Sequence, residues 1–195
     1  MLVPEYRGYS LLKHQKPDMD HIILDMRYFL KEMSIKGIIK KHKTILFGRS
    51  LGSYIATYFA TKLEYHSCIV FCGFKSVESI VASKTTSFVG KLIKQKCDNS
   101  EHLKNTKIPV LLIHGMQDKL IPYTDIVDMH KQLHGGLVSL VVNEHLEHNA
   151  YNEYDDLLLP ISDFYKHVLP SQKVVDPSSL LKSSMLAYSS VHDSS

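Results

Sequence analysis

Ser50, Asp118 and His148 are the residue types that nucleophilic acyl chemistry needs, and each follows an apolar run in a turn or polar loop. A serine hydroxyl attacks a carbonyl only when a base takes its proton, and an imidazole serves as that base only when an acid orients it. Ser50 stands in Gly48-Arg49-Ser50-Leu51-Gly52, a G-x-S-x-G segment in which small neighbours let a serine occupy a sharp turn and let substrate approach. The Leu51 amide, at the start of the following helical pattern, is the candidate oxyanion donor. Asp118 comes just after an apolar run, and His148 lies in the next polar loop with Asn149 beside it and His145 as a close rival. Read singly, Ser50 is also a helix cap, Asp118 a turn former and either histidine plain surface. The ordered trio is what points to catalysis.

Other chemistries find less support. Glu144-His145-Leu146-Glu147-His148 places two histidines among carboxylates, yet it matches neither H-E-x-x-H nor H-x-x-E-H, so no metal is expected. Neither G-x-G-x-x-G nor G-x-x-x-x-G-K-S/T occurs, which leaves nucleotide cofactors without a phosphate loop; no cofactor is expected.

The elements that must position these residues alternate. Ile22, Met26, Phe29, Leu30 and Met33 recur at helical spacing behind Asp18 and Asp20, predicting a helix from about Asp18 to Ile35 that ends at Gly37. After the basic stretch Lys40-Lys41-His42-Lys43, Thr44 to Phe47 is a short apolar run of the kind that makes a buried strand. The glycine-rich turn comes next, and then Leu51, Tyr54, Ile55, Tyr58 and Phe59 mark the buried face of a helix. Further strands are expected at Cys68 to Cys72, Val110 to His114 and Leu137 to Val142. Between them come a mixed stretch from Gly73 to Thr106 and a helix carrying Ile126, Met129 and Leu133, closed by Gly135-Gly136. Leu157, Ile161, Phe164, Tyr165 and Val168 predict a last amphipathic helix. Such alternation calls for a mostly parallel sheet with helices on both faces, and ligands then sit at the carboxyl ends of the strands.

The 195 residues are 44% hydrophobic and 22% charged, enough apolar material for one domain with a core. The formal charge of +3 is too small to imply nucleic acid or a charged membrane as partner. Three cysteines are an odd count, and Cys68 and Cys72 flank an apolar run, so free thiols and a reducing compartment are expected. Apolar runs stop short of a membrane span, and the start MLVPEYRGYS lacks the pattern of a secretory signal. From Pro170 onward the chain is rich in serine, and 170–195 is expected to be a disordered tail behind a domain of 1–169.

Taken together, PEYRGYS, ILFGRSLGSYIA, PVLLIHGMQDKLIP and LEHNAYNEY resemble the α/β-hydrolase-domain serine hydrolases of the membrane-linked branch that includes protein depalmitoylases. The resemblance runs from about Leu2 to Val168 and implies an α/β-hydrolase fold with Ser50 as nucleophile, Asp118 as acid and His148 as base, the His-Asn pair favouring His148 over His145. It implies hydrolysis of an ester or thioester, with a small acyl ester or an acylated protein as substrate. The cap-like insertion near 73–106 would shape the pocket. Relatives carry further N-terminal strands and a second oxyanion-loop amide that this sequence does not show. The expectation is therefore an N-terminally incomplete fold, the C-terminal two thirds of the usual one, with a gap between a strand ending near Pro4 and the strand at Thr44 to Phe47. A catalytically impaired relative, or a binding or scaffold protein, is the alternative reading. The resemblance also implies a cytoplasmic location or the cytosolic face of membranes, with attachment only through a missing N-terminal segment.

Overall fold

Asp18 starts the first long helix, α1 (Met19–Ile35), because its carboxylate accepts a hydrogen bond from the His21 amide at 3.1 Å. At the other end the Ile38 amide returns to the Met33 carbonyl at 2.9 Å and the Gly37 amide to Ser34 at 3.0 Å, so the last carbonyls are satisfied where the sequence predicts the stop. The structure, a computed structural model, describes residues 1–62, 65–82, 96–133 and 138–168.

Four apolar runs form strands β1 (Ile45–Arg49), β2 (Ser67–Phe71), β3 (Val110–Gly115) and β4 (Val138–Asn143). They lie side by side in chain order and every pair is parallel, with Phe47 opposite Ile69, Ile69 opposite Leu111 and Leu111 opposite Ser139. The connections carry α2 (Gly52–Ala60), α3 (Val77–Ala82), α4 (Asn99–Lys104) and α5 (Tyr123–Gln132). A π-helical turn over Glu153–Leu158 leads into α6 (Leu159–Val168).

Because successive strand residues face opposite sides, the sheet feeds two cores. Leu46, Cys68, Val70, Val110 and Leu112 meet α1, α2 and α5 on one face, through Ile22, Met26, Ile55, Phe59, Ile126 and Met129. Ile69, Phe71, Leu111 and Ile113 meet Leu146 and the Phe164 of α6 on the other. β2 and β3 are buried on both faces, which explains why they read as unbroken apolar runs. Cys68, Cys72 and Cys97 are buried free thiols, and burial pushes each up to about 12. No described helix is long and apolar enough to cross a membrane.

Three expectations change. Residues 2–4 form no strand: they make no ladder with any described residue, and Leu2 and Val3 are exposed. The expected gap inside the sheet is accordingly absent among the described residues, since β1 to β4 are contiguous and β1 is an edge with Ile45 and Phe47 exposed on one face. In α2 the buried face includes Ser53 and Thr57, whereas Leu51, Tyr54 and Tyr58 are only partly covered. The reason is a polar partner: Asn99 of α4 accepts from the Thr57 hydroxyl at 2.6 Å and donates to Ser53 Oγ at 3.0 Å and to the Phe74 carbonyl at 2.7 Å.

The stretch from Gly73 to Thr106 leaves and returns through a closed neck, with Val77 donating to the Cys97 carbonyl at 3.0 Å and Asn99 to the Lys75 carbonyl at 2.8 Å. Its middle, 83–95, lies outside the described residues, as do Gly135, Gly136, Leu137 and the tail at 170–195.

Candidate active site

β1 ends at Arg49 and α2 begins at Gly52, so the chain must reverse in two residues. Ser50 makes that turn at φ +50°, a left-handed conformation that costs a side-chain-bearing residue on the order of 1 to 2 kcal/mol. It is held from both sides: its amide donates to the Phe71 carbonyl of β2 at 3.1 Å, and its carbonyl accepts from Ser53 at 3.0 Å. The hydroxyl is thereby set at the carboxyl end of the sheet. The Leu51 amide, at the N-cap of α2, makes no hydrogen bond among the described residues.

The two glycines of the motif do different things. A Cβ on Gly48 would run into the Gly52 carbonyl and lie 2.7 Å from Ala56 Cβ and Ser53 Cα, whereas one on Gly52 would meet only the Tyr6 hydroxyl at 3.8 Å. Gly48→Ala should therefore cost about 3 kcal/mol or more of stability, and Gly52→Ala should leave stability unchanged or raise it by about 0.5 kcal/mol. Urea unfolding of the two variants checks this.

Asp118 follows β3 in a tight turn whose own amides bind it. Its Oδ1 accepts from Leu120 and Ile121, both at 2.8 Å, and its Oδ2 lies 2.7 Å from His148 Nδ1 and 3.4 Å from His114 Nε2. His114 itself, fully buried, donates from Nε2 to the Ile121 carbonyl at 3.0 Å. Burial of the carboxyl works to raise its pKa, but the bonds from His114, His148 and Ile121 outweigh it and hold Asp118 well below the usual carboxylate range. An ionised Asp118 fixes the imidazole tautomer: Nδ1–H donates to the carboxylate and Nε2 is left as acceptor.

That acceptor faces the serine. His148 Nε2 lies 3.0 Å from Ser50 Oγ, and both residues are buried. The structure thus brings Ser50, Asp118 and His148 into one hydrogen-bonded relay, while His145 is exposed and takes no part in it.

Cys72, at φ +48° just after β2, completes the wall. Its sulfur, an Asp118 oxygen and a His148 nitrogen lie within 4.8 Å of one another, the one grouping of potential metal ligands among the described residues. Its chemistry is unfavourable for a metal, because the carboxylate and imidazole are bonded to each other and burial keeps the thiol protonated. Cys72, His114 and Arg49 were not marked as site residues by the sequence; their single signal is proximity in the chain to the ends of β2, β3 and β1.

No protein-family model matches the chain. Solved structures do. A Pyrococcus furiosus esterase superposes with a TM-score of 0.66 at 16% identity, over 83% of this chain and 66% of that one. An alpha/beta hydrolase enzyme from the metagenome of lagoon sediments at Mar Chica, Morocco, gives 0.59 at 22% identity, over 84% and 76%. The acylaminoacyl peptidase of Pyrococcus horikoshii gives 0.58 at 16% identity, over 82% and 30%. The chain has the α/β-hydrolase fold. The chain spans about two thirds of the length of the Pyrococcus esterase and under a third of that of the peptidase. Its Ser50 turn, its Asp118 turn and its His148 loop all lie at the carboxyl ends of β1, β3 and β4, where ligands bind in open parallel sheets.

Proposed function

We propose that this chain is a serine hydrolase that cleaves esters or thioesters through an acyl-enzyme on Ser50. The observation that carries the proposal is the relay from Asp118 through His148 to a serine held at positive φ.

Ser50 Oγ attacks the substrate carbonyl carbon as its proton passes to His148 Nε2, and the Asp118 carboxylate stabilises the imidazolium through Nδ1–H. The negative charge forming on the carbonyl oxygen falls to the Leu51 amide at the start of α2. Collapse of the tetrahedral adduct breaks the bond to the alkoxide or thiolate, which takes the proton from Nε2. Water then attacks the acyl-serine, gives a proton to His148, and the acid product leaves as Ser50 recovers it. Esterases and a peptidase share the fold, which supports acyl transfer in general. The likeness of the PEYRGYS, GRSLG and His-Asn segments to the depalmitoylase branch supports an acylated protein thioester as the substrate class.

Two outcomes are expected for Asp118. Asp118→Asn should cost on the order of 10⁴-fold in acylation, because the amide no longer selects the tautomer with a free Nε2. Its folded pKa is depressed, so its contribution to stability is present above the unfolded value of about 3.9 and is lost as pH falls below it. The gap in melting temperature between wild type and Asp118→Asn should therefore be constant from neutral pH down to about 5 and narrow only below about 4.

The substrate class is tested by thiol release from acyl-thioester peptides of increasing chain length, with wild type and Ser50→Ala side by side. Thiol release that needs Ser50 supports the proposal. A folded chain that binds the peptides equally in both forms and releases nothing supports a binding protein instead.

A further inference from the structure

Arg49, between Gly48 and the serine, reaches across the site. Its Nη2 donates to the His148 carbonyl and, at 2.8 Å, to Asn149 Oδ1. The guanidinium carbon stands 5.8 Å from the centre of the Tyr151 ring, and that ring meets Phe71 of β2 edge-on at 5.0 Å. One cation therefore gathers residues 148, 149 and 151 of the loop that carries the base.

The loop has a second support, but at its other end. Leu146 is fully buried, and its carbonyl crowds Gly115 so closely that a Cβ there would collide with it; the same carbonyl accepts from Gln117 at 3.3 Å. Between the two supports, the Glu147 amide donates to the Ala150 carbonyl at 3.1 Å. Leu146 fixes where the loop starts. The half that bears the imidazole is held by Arg49 and by Asp118.

We infer that Arg49 is a positioning residue that ties the His148 loop to the backbone of the nucleophile turn, an inference that rests on the Ser50 reading above. The 3.0 Å contact between His148 Nε2 and Ser50 Oγ joins loops that follow different strands, β4 and β1. Because Arg49 is covalently next to Ser50 and hydrogen-bonded to His148, nucleophile and base move as one unit. Its guanidinium touches neither Ser50 Oγ nor Nε2, so it acts through His148. Lysine is a poor replacement, since its ammonium ends near the position of the guanidinium carbon and falls one bond short of both acceptors.

The test is fluorophosphonate inactivation resolved into its binding constant and its limiting rate, for wild type, Arg49→Ala, Arg49→Lys and Asn149→Ala, together with amide hydrogen exchange. Arg49→Ala should lower the limiting rate roughly 10- to 100-fold, as misplacement by about 1 Å does. The binding constant should stay within about twofold, the pattern of a lost transition-state interaction. Arg49→Lys should fall between, and added guanidinium should restore part of the rate to Arg49→Ala but not to wild type. Exchange should quicken at 147–151 and stay unchanged in β2 and β3. An unchanged limiting rate, or faster exchange throughout the molecule, overturns the inference. If wild type itself is not labelled, the Ser50 reading fails and exchange alone decides: faster exchange at 147–151 keeps the clamp, and equal exchange removes it.

Discussion

Ser50→Ala should abolish covalent labelling by a fluorophosphonate and lower ester hydrolysis by on the order of 10⁵- to 10⁶-fold, down to what binding and the Leu51 amide supply without a nucleophile. The effect is large because, in the proposed mechanism, the other two groups act through that oxygen: Asp118 bonds His148 Nδ1, and Nε2 at 3.0 Å has no other hydrogen-bond partner than Ser50 Oγ among the described residues. The fold should survive the change. Alanine at φ +50° bears the same backbone strain as serine, and the bonds that hold the turn, to the Phe71 carbonyl and from the Ser53 amide, are made by the main chain. Circular dichroism and melting temperature should match wild type, which separates loss of chemistry from loss of structure.

His148→Ala should be nearly as damaging, by on the order of 10⁵-fold, and His145→Ala should stay within about twofold of wild type. The contrast comes from place. His148 is buried between a carboxylate and a hydroxyl, whereas His145 is exposed, with the Asn143 side chain bonded to its backbone amide at 3.0 Å. Combining Ser50→Ala with His148→Ala should add little to either alone, since groups that act on one proton are not additive. Rates of p-nitrophenyl acetate hydrolysis, corrected for the uncatalysed reaction, measure all three variants. Full activity in His148→Ala with loss in His145→Ala would reverse the choice of base.

Much of this architecture is legible in the chain because it is local. A cap at Asp18 or Asp20, of which the structure uses Asp18, the stop at Gly37 and the apolar runs of β2 and β3 depend on neighbours a few residues away, and the alternation of runs and amphipathic helices suffices for a parallel sheet with helices on both faces. Ser50, Asp118 and His148 stand out because each follows a strand in a turn or polar loop. What escapes the sequence is what depends on distant partners. The burial of Ser53 and Thr57 is decided by Asn99, 42 residues from Thr57, and the reach of Arg49 by a loop 99 residues away. The resemblance implies a strand ending near Pro4, but a strand needs a neighbour to pair with, and Leu2 and Val3 pair with none of the described residues. Gly52 looks equivalent to Gly48 in the motif, yet the helix packs its own carbonyl against Gly48, whereas a Cβ at Gly52 would make only ordinary contact with the Tyr6 hydroxyl at 3.8 Å.

If Ser50 is an activated nucleophile, a fluorophosphonate adduct located by mass spectrometry on the folded, purified chain will show it. One adduct per molecule is expected, on the peptide containing Ser50, formed far more slowly in His148→Ala and Asp118→Asn. A folded chain that forms no adduct, or forms it on another residue at the wild-type rate when Ser50 is alanine, would contradict it.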